Sequence, residues 1–155
     1  MRYLKKVLLG LLVVFLVMQL FRPDKYTTDS DSITPFLTET NPPDEVVATL
    51  KQACFDCHSN ATRYPWYNAI TPVNYWLKDH IDHGKEELNV SEWSAYSVKR
   101  KDHKLEEIAE LVEEGEMPLQ SYTWTHADAR LSDEQVSSLI NWVNAARSQL
   151  SVEEE

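Results

Sequence analysis

Residues 54–58, which read Cys54-Phe55-Asp56-Cys57-His58, contain both cysteines of this 155-residue chain. The arrangement C-x-x-C-H is the attachment signature of c-type haem. Side chains three residues apart share one face of a helix, so both thiols can reach the same porphyrin. His58 follows directly and can bind the iron as its proximal ligand. The sequence therefore predicts one covalently bound haem c per chain, attached through thioethers from Cys54 and Cys57.

Two other interpretations of the cysteine pair need no haem. A redox-active C-x-x-C pair normally belongs to a β-α-β pattern, and no strand pattern is found around these residues. A zinc ion would need two further ligands, and the nearest histidine pair, His80 and His83, is spaced more closely than in structural zinc sites. A haem-free module with a zinc ion or a disulfide at Cys54 and Cys57 is therefore the weaker alternative.

A second axial ligand can be sought among the remaining methionine and histidine residues. Met117 is the one methionine beyond the N-terminal 18 residues, and it lies in the sequence Gly-Glu-Met-Pro at 115–118. The proline restricts the backbone there and suits a loop that presents a side chain. We predict that Met117 is the distal iron ligand. His80, on the apolar face of a predicted helix, would contact a haem propionate or serve as the alternative ligand.

The spacing of apolar residues predicts four amphipathic helices, at 44–58, 72–88, 102–114 and 133–150. Thr71 is expected to cap the second helix, and Gly115 is expected to end the third. Ser132 and Gln135 match the capping-box pattern at the start of the fourth. Because no β-hairpin signal is present, the predicted fold is all-α, with the first of these helices crossing the last.

The N-terminal segment is strongly apolar. Residues 7–21 read VLLGLLVVFLVMQLF, with Lys5 and Lys6 before them and Arg22 after them. This pattern is typical of a secretory signal or a membrane helix with its positive end in the cytoplasm. No small-residue cleavage site follows, so we predict an uncleaved single-pass anchor at 7–21 in a bacterial inner membrane. Residues 1–6 would lie in the cytoplasm and the haem domain in the periplasm; a cleaved signal peptide is the alternative.

The remaining residues divide into three predicted parts. Residues 22–43 contain four prolines among Ser, Thr and Asp, which predicts a flexible tether. Residues 44–150 form the predicted haem-binding domain. Residues 151–155 form an acidic tail.

Composition excludes several common classes of protein. The three glycines are too few and too far apart for a P-loop or a dinucleotide-binding fingerprint. A formal net charge of -10 argues against a nucleic-acid partner. The same negative charge would steer the chain toward a redox protein with a basic docking surface.

An ordered set of motifs follows the cysteines: ACFDCHSN at 53–60, TRYPWY at 62–67, LNVSEW at 88–93 and GEMP at 115–118. This set resembles the bacterial haem-binding domain family of short monohaem c-type cytochromes, over about residues 40–147. The resemblance implies covalent haem on Cys54 and Cys57, His58 as proximal ligand, and electron transfer. The chain is also similar in outline to class I cytochromes c, whose helices wrap around one covalent haem.

Aromatic residues between 64 and 93 are candidates for the haem pocket, namely Trp66, Tyr67 and Trp76. The predicted function is a membrane-anchored monohaem cytochrome that passes single electrons between redox partners and is not an enzyme. If Met117 did not bind the iron, a haem-based sensor of small molecules or a peroxidase-like protein would be the alternative. A peroxidase would also need a distal acid–base pair, for which only His80 is available.

Overall fold

The computed structural model describes residues 2–26 and 30–152, and no strand occurs within those ranges. The α-helices are α1 Arg2–Met18, α2 Thr34–Thr40, α3 Asp44–Ala53, α4 Phe55–His58, α5 Val73–Glu87, α6 Val98–Glu113, α7 Gln120–Thr123 and α8 Asp133–Val152. Short 3-10 helices occupy Ser30–Ile33, Trp66–Ala69, Val90–Ala95 and Ala127–Ala129. The predicted all-α class is confirmed.

An aromatic cluster lies at the centre of the core. The ring of Phe36 packs edge-on against three other rings, those of Phe55, Trp93 and Trp142. Phe55 belongs to the C-x-x-C-H motif, so the motif is joined directly to the core. Edge-to-face aromatic pairs of this kind add stability beyond the apolar area that they bury.

Helices α3 and α8 pack against each other, as the sequence predicts for the first and last helices of the domain. The apolar side chains that they contribute to the shared core are Val46, Leu50, Leu139, Trp142 and Val143. On α3 and α8 these residues recur at intervals of three and four positions, which places them on one face of each helix. The start of the C-x-x-C-H motif, at the end of α3, is therefore held against the longest helix of the domain.

Helix ends follow local signals in most places. The backbone N–H of Ser132 donates to Gln135 Oε1 at 2.9 Å, and the N–H of Gln135 donates to Ser132 Oγ at 3.3 Å, which confirms the capping box. Gly115, with φ of +73°, lies just beyond the end of α6, as predicted.

The expected cap at Thr71 is wrong, because its hydroxyl donates to the Phe21 carbonyl oxygen instead. Helix α6 begins at Val98, before the predicted residue 102, because Ser97 caps it.

The predicted membrane anchor is wrong. Helix α1 has 17 residues, Arg2–Met18, and at 1.5 Å per residue it rises about 26 Å, less than the ~30 Å of a bilayer core. Over residues 2–26 and 30–152, no helix combines the length and the apolar character needed to cross a membrane. Helix α1 ends at Met18, before the predicted residue 21. The side chain of the next residue, Gln19, forms two hydrogen bonds with the backbone of Thr71. The expected single-pass location in an inner membrane, with a periplasmic haem domain, is corrected accordingly.

The predicted tether at 22–43 is also wrong over residues 30–40. Residues Ser30–Ile33 and Thr34–Thr40 are helical, and Phe36 is 0% exposed. The indole N–H of Trp142 donates to the Thr40 carbonyl oxygen at 2.8 Å, which fixes the end of α2. Three of the four prolines mark helix ends: one lies in the first turn of α2, and two lie between α2 and α3.

Two smaller parts of the predicted division lie at the edges of the described ranges. Helix α8 continues to Val152, so the expected acidic tail at 151–155 begins within a helix. Residues 153–155, and residues 27–29 of the expected tether, lie outside the described residues.

Candidate functional site

The C-x-x-C-H motif begins at the junction of two helices. The N–H of Cys54 still bonds the Leu50 carbonyl oxygen of α3 at 2.9 Å, while its own carbonyl oxygen accepts the N–H groups of Cys57 and His58 at 3.1 and 3.0 Å. The single turn of α4 thus starts from Cys54 itself. Cys57 and His58 thus follow Cys54 within one helical turn, and the binding of one haem by all three side chains stays a prediction.

Both thiols are free and half-buried. Burial raises the pKa of Cys54 to about 12. Burial also raises the pKa of Cys57, to about 11, and the Asp56 carboxylate adds to that shift. Both side chains are therefore protonated thiols at neutral pH.

A backbone carbonyl sets the protonation of His58. Its Nδ1 lies 3.1 Å from the Leu88 carbonyl oxygen, which can only accept a hydrogen bond, so Nδ1 carries the hydrogen. Burial lowers the pKa of His58 below its usual value, which favours the neutral ring. In a neutral ring of this tautomer, Nε2 keeps its lone pair. Metal-binding histidines characteristically donate their other ring N–H in this way.

Helix α5 approaches the motif closely at Gly84. A Cβ atom at this position would lie 3.2 Å from both the Cβ and the carbonyl oxygen of Cys57, tighter than ordinary van der Waals contact. Glycine therefore allows α4 and α5 to pack with their backbones close together. Leu88, whose carbonyl oxygen binds His58, follows at the end of α5, so one helix positions both Cys57 and the imidazole.

A narrow cavity of about 10 Å³ lies beside Cys57. Its lining residues are Asp56, Cys57, Thr62, Arg63, Pro65, Tyr67, Leu77, Ile81 and Tyr122. Cofactor pockets commonly measure about 300–1,000 Å³. The thiols and the imidazole suit haem as a donor set. The cavity is smaller than a porphyrin, so the residues at the rim of the cavity would have to move apart for a porphyrin to enter.

Asp56 connects the motif to two other segments of the chain. Its side chain is 12% exposed and accepts two hydrogen bonds at Oδ1 from Arg63, one from the backbone N–H and one from Nε, both at 3.0 Å. At Oδ2 it accepts Arg63 Nη2 at 3.1 Å and the Tyr122 hydroxyl at 2.9 Å. Burial and the neighbouring Asp56 raise the pKa of Tyr122, so its hydroxyl is protonated and donates.

The sequence predicts no role in the site for Asp56, Arg63 or Tyr122. The one local signal is an acidic residue inside the C-x-x-C-H motif followed seven positions later by Arg63. Tyr122 lies 66 residues from Asp56, and no sequence spacing connects the two.

Met117 lies beyond the end of α6, in the predicted loop. Its N–H donates to the Leu111 carbonyl oxygen at 3.0 Å, and its side chain packs against the same hydrophobic core that Cys54 contacts. Both residues thus border one core. Binding of Met117 to iron stays a prediction.

The other predicted site residues lie in different surroundings. Tyr67 lines the cavity beside Cys57. Trp66 and Trp76 are 80% and 46% exposed and do not line it. His80 Nδ1 donates to the Trp76 carbonyl oxygen at 3.0 Å, and its ring lies 4.4 Å from the Trp76 ring. Of the predicted pocket aromatics, the structure brings Tyr67 alone to the cavity.

Comparison with known proteins adds one finding. A sequence model of the haem-binding domain family matches residues 13–145. No match was found among curated proteins or among solved structures. The matched range covers most of the chain, including the C-x-x-C-H motif, helix α2 and the loop that carries Met117. The chain therefore belongs to the haem-binding domain family.

Proposed function

We propose that this haem-binding chain is a monohaem c-type cytochrome that passes single electrons between redox proteins. Cys54 and Cys57 would attach the haem, and His58 and Met117 would be its axial ligands. The observation that carries the proposal is the hydrogen bond from His58 Nδ1 to the Leu88 carbonyl oxygen. This bond leaves Nε2 with a lone pair, on a residue that directly follows the second of two free thiols in the chain.

The two cysteines would react by thiol addition. Each sulfur would bond one carbon of a haem vinyl group, and the thiol hydrogen would go to the other carbon, so no oxidant would be needed. Both cysteines must be reduced beforehand, and both are free thiols in the structure. Their protonated state at neutral pH means that each sulfur must lose its proton as it reacts, or the site must open to water first.

Bound haem supplies a one-electron iron couple. His58 is oriented by Leu88 and lies on a helix turn that is anchored in the core through Phe55. A ligand held in this way changes little when an electron is gained or lost. Met117 as second ligand would raise the reduction potential relative to binding by two histidines.

The surface near the Met117 loop supports a basic redox partner. The end of α6 and the turn after it expose four carboxylates, those of Glu110, Glu113, Glu114 and Glu116. Negative charge concentrated at one end of a domain steers oppositely charged partners to that end. We therefore expect electron transfer to a basic partner to slow at high ionic strength.

Absorption spectroscopy and intact mass of the full chain, produced together with a c-type haem-attachment system, test the proposal. We expect one covalent haem, a low-spin spectrum in both oxidation states, and a sulfur-to-iron charge-transfer band in the near infrared. The double variant Cys54→Ala/Cys57→Ala should carry no covalent haem. The Met117→Ala variant should keep its haem and lose the charge-transfer band.

Other outcomes would support different functions. A high-spin haem that binds carbon monoxide rapidly when reduced would favour a sensor or a peroxidase-like protein. Purified chain without Soret absorption would favour a haem-free zinc or disulfide module. The zinc alternative gains no support from the structure, because no group of three or more His, Cys, Asp or Glu side chains within residues 2–26 and 30–152 is placed to hold a metal ion.

A further inference from the structure

Asp56 holds two segments of the chain against the haem-attachment motif. Its carboxylate is oriented by three hydrogen bonds from Arg63, whose Nη2 also donates to the Lys51 carbonyl oxygen at 2.6 Å. With Arg63 fixed to the end of α3, the carboxylate has little freedom to rotate. The Tyr122 hydroxyl then meets a preorganised, charged acceptor at 2.9 Å. Hydrogen bonds to charged groups are about twice as strong as those between neutral groups.

Tyr122 follows Met117 by five residues, and both ends of this segment are anchored. At the first end, the N–H of Met117 donates to the Leu111 carbonyl oxygen of α6. At the other end, Tyr122 bonds Asp56 and its ring stacks on His126 at 4.0 Å, with 12° between the ring planes. Five residues span at most about 18 Å, so the anchor at Tyr122 limits how far Met117 can move from the motif.

We propose that Tyr122 is a positioning residue for the haem site. Its hydrogen bond to Asp56 holds the 117–122 segment against the C-x-x-C-H motif and so keeps Met117 on the iron. The same contact closes one edge of the cavity beside Cys57, which both Asp56 and Tyr122 line. This inference rests on the proposed c-type cytochrome with Met117 as axial ligand.

Ligand exchange in the oxidised, haem-loaded full chain tests the inference. Imidazole is added, and the loss of the sulfur-to-iron charge-transfer band gives the rate at which it displaces Met117. We expect Tyr122→Phe to increase this rate about tenfold, because it removes one hydrogen bond to a charged group. The substitution keeps the aromatic ring that stacks on His126, so haem attachment and helix content should not change.

Tyr26→Phe is the matched control. It also removes a tyrosine hydroxyl that donates to a carboxylate, Asp82 Oδ1, at 2.9 Å, but neither residue lines the cavity beside Cys57. We expect its exchange rate to stay within about twofold of the wild-type rate, since this hydrogen bond does not anchor the 117–122 segment.

Three results would overturn the inference while leaving haem attachment intact. These are an unchanged rate in Tyr122→Phe, equal acceleration in Tyr122→Phe and Tyr26→Phe, and a loss of helix in Tyr122→Phe measured by circular dichroism. The last would show a general structural role. A wild-type chain that carries no haem, or that lacks the charge-transfer band, would instead overturn the proposed function and this inference together. The wild-type spectrum alone distinguishes the two failures.

Discussion

The chemistry of His58 depends on one oxygen atom. With the Leu88 carbonyl oxygen 3.1 Å from Nδ1, the ring is held in the tautomer that leaves Nε2 able to bind a metal. Without this acceptor, either nitrogen could carry the hydrogen, and the ring could rotate. A backbone acceptor has a further advantage over a side-chain acceptor, because no single substitution at Leu88 removes it.

Asp102 gives a prediction about pH at the scale of one residue. Arg147 Nε lies 2.7 Å from Asp102 Oδ1, and this hydrogen bond lowers the pKa of Asp102. The folded chain then binds fewer protons there than the unfolded chain. The resulting stabilisation is present above about pH 4 and is lost as the pH falls through the lowered pKa of the folded state.

We therefore expect Asp102→Asn to lower the free energy of unfolding by about 0.5 kcal/mol at neutral pH, since the pair is partly exposed. The difference from the wild type should disappear as the pH falls through the lowered pKa of Asp102 in the folded state. Urea unfolding across this range measures both values. Asp24→Asn, at an exposed position, serves as the control and should match the wild type throughout. A difference that persists at low pH would contradict the prediction.

At the scale of helices, the contact between α4 and α5 depends on Gly84. We expect Gly84→Val to destabilise the fold by about 2 kcal/mol, because a side chain there would push α5 away from Cys57. The yield of covalent haem should fall as well. Thermal unfolding and absorption per chain measure the two effects.

Gly10→Val provides the matched control for this prediction. Gly10 also lies in a helix, and a Cβ atom there would meet nothing within 4 Å. The two substitutions change helix propensity alike and differ in the space around the new side chain. Equal stability of both variants would show that the close approach of α4 and α5 has no energetic importance.

Helix α2 is the second element with a testable role. Phe36→Ala should destabilise the fold by about 3–5 kcal/mol, because it empties the centre of the aromatic cluster. Thr38→Ala, on the exposed side of the same helix, should change stability by less than about 0.5 kcal/mol. Denaturant unfolding of both variants makes the comparison. Similar values would mean that this segment is the passive tether that its prolines suggest.

For the whole molecule, haem attachment should be a major contribution to stability. A domain of this size buries a limited fraction of its surface, and a ligand that binds only the folded state stabilises it. We expect the haem-loaded chain to unfold at a temperature about 10 °C above that of the Cys54→Ala/Cys57→Ala variant. Calorimetry of both proteins, with haem content checked by absorption, measures the difference. Identical unfolding temperatures would mean that the core is complete without haem.

Features that depend on neighbouring residues could be predicted from the sequence. The C-x-x-C-H motif, the periodic faces of α3, α5, α6 and α8, the end of α6 at Gly115 and the Ser132–Gln135 capping box all involve residues within a few turns of one another. Where a local signal was ambiguous, the prediction failed: prolines around α2 suggested a tether, and the apolar run at 7–21 suggested a membrane helix.

Contacts between distant residues were decided by the tertiary structure alone. Leu88 reaches His58 across 30 positions, Gln19 reaches Thr71 across 52, and Tyr122 reaches Asp56 across 66. The burial of Phe36 likewise depends on rings from three other segments. Periodicity and spacing describe which face of an element is apolar, but not which element will cover it. The sequence therefore determined which groups could attach haem, and the packing of distant segments determined how those groups are oriented and held.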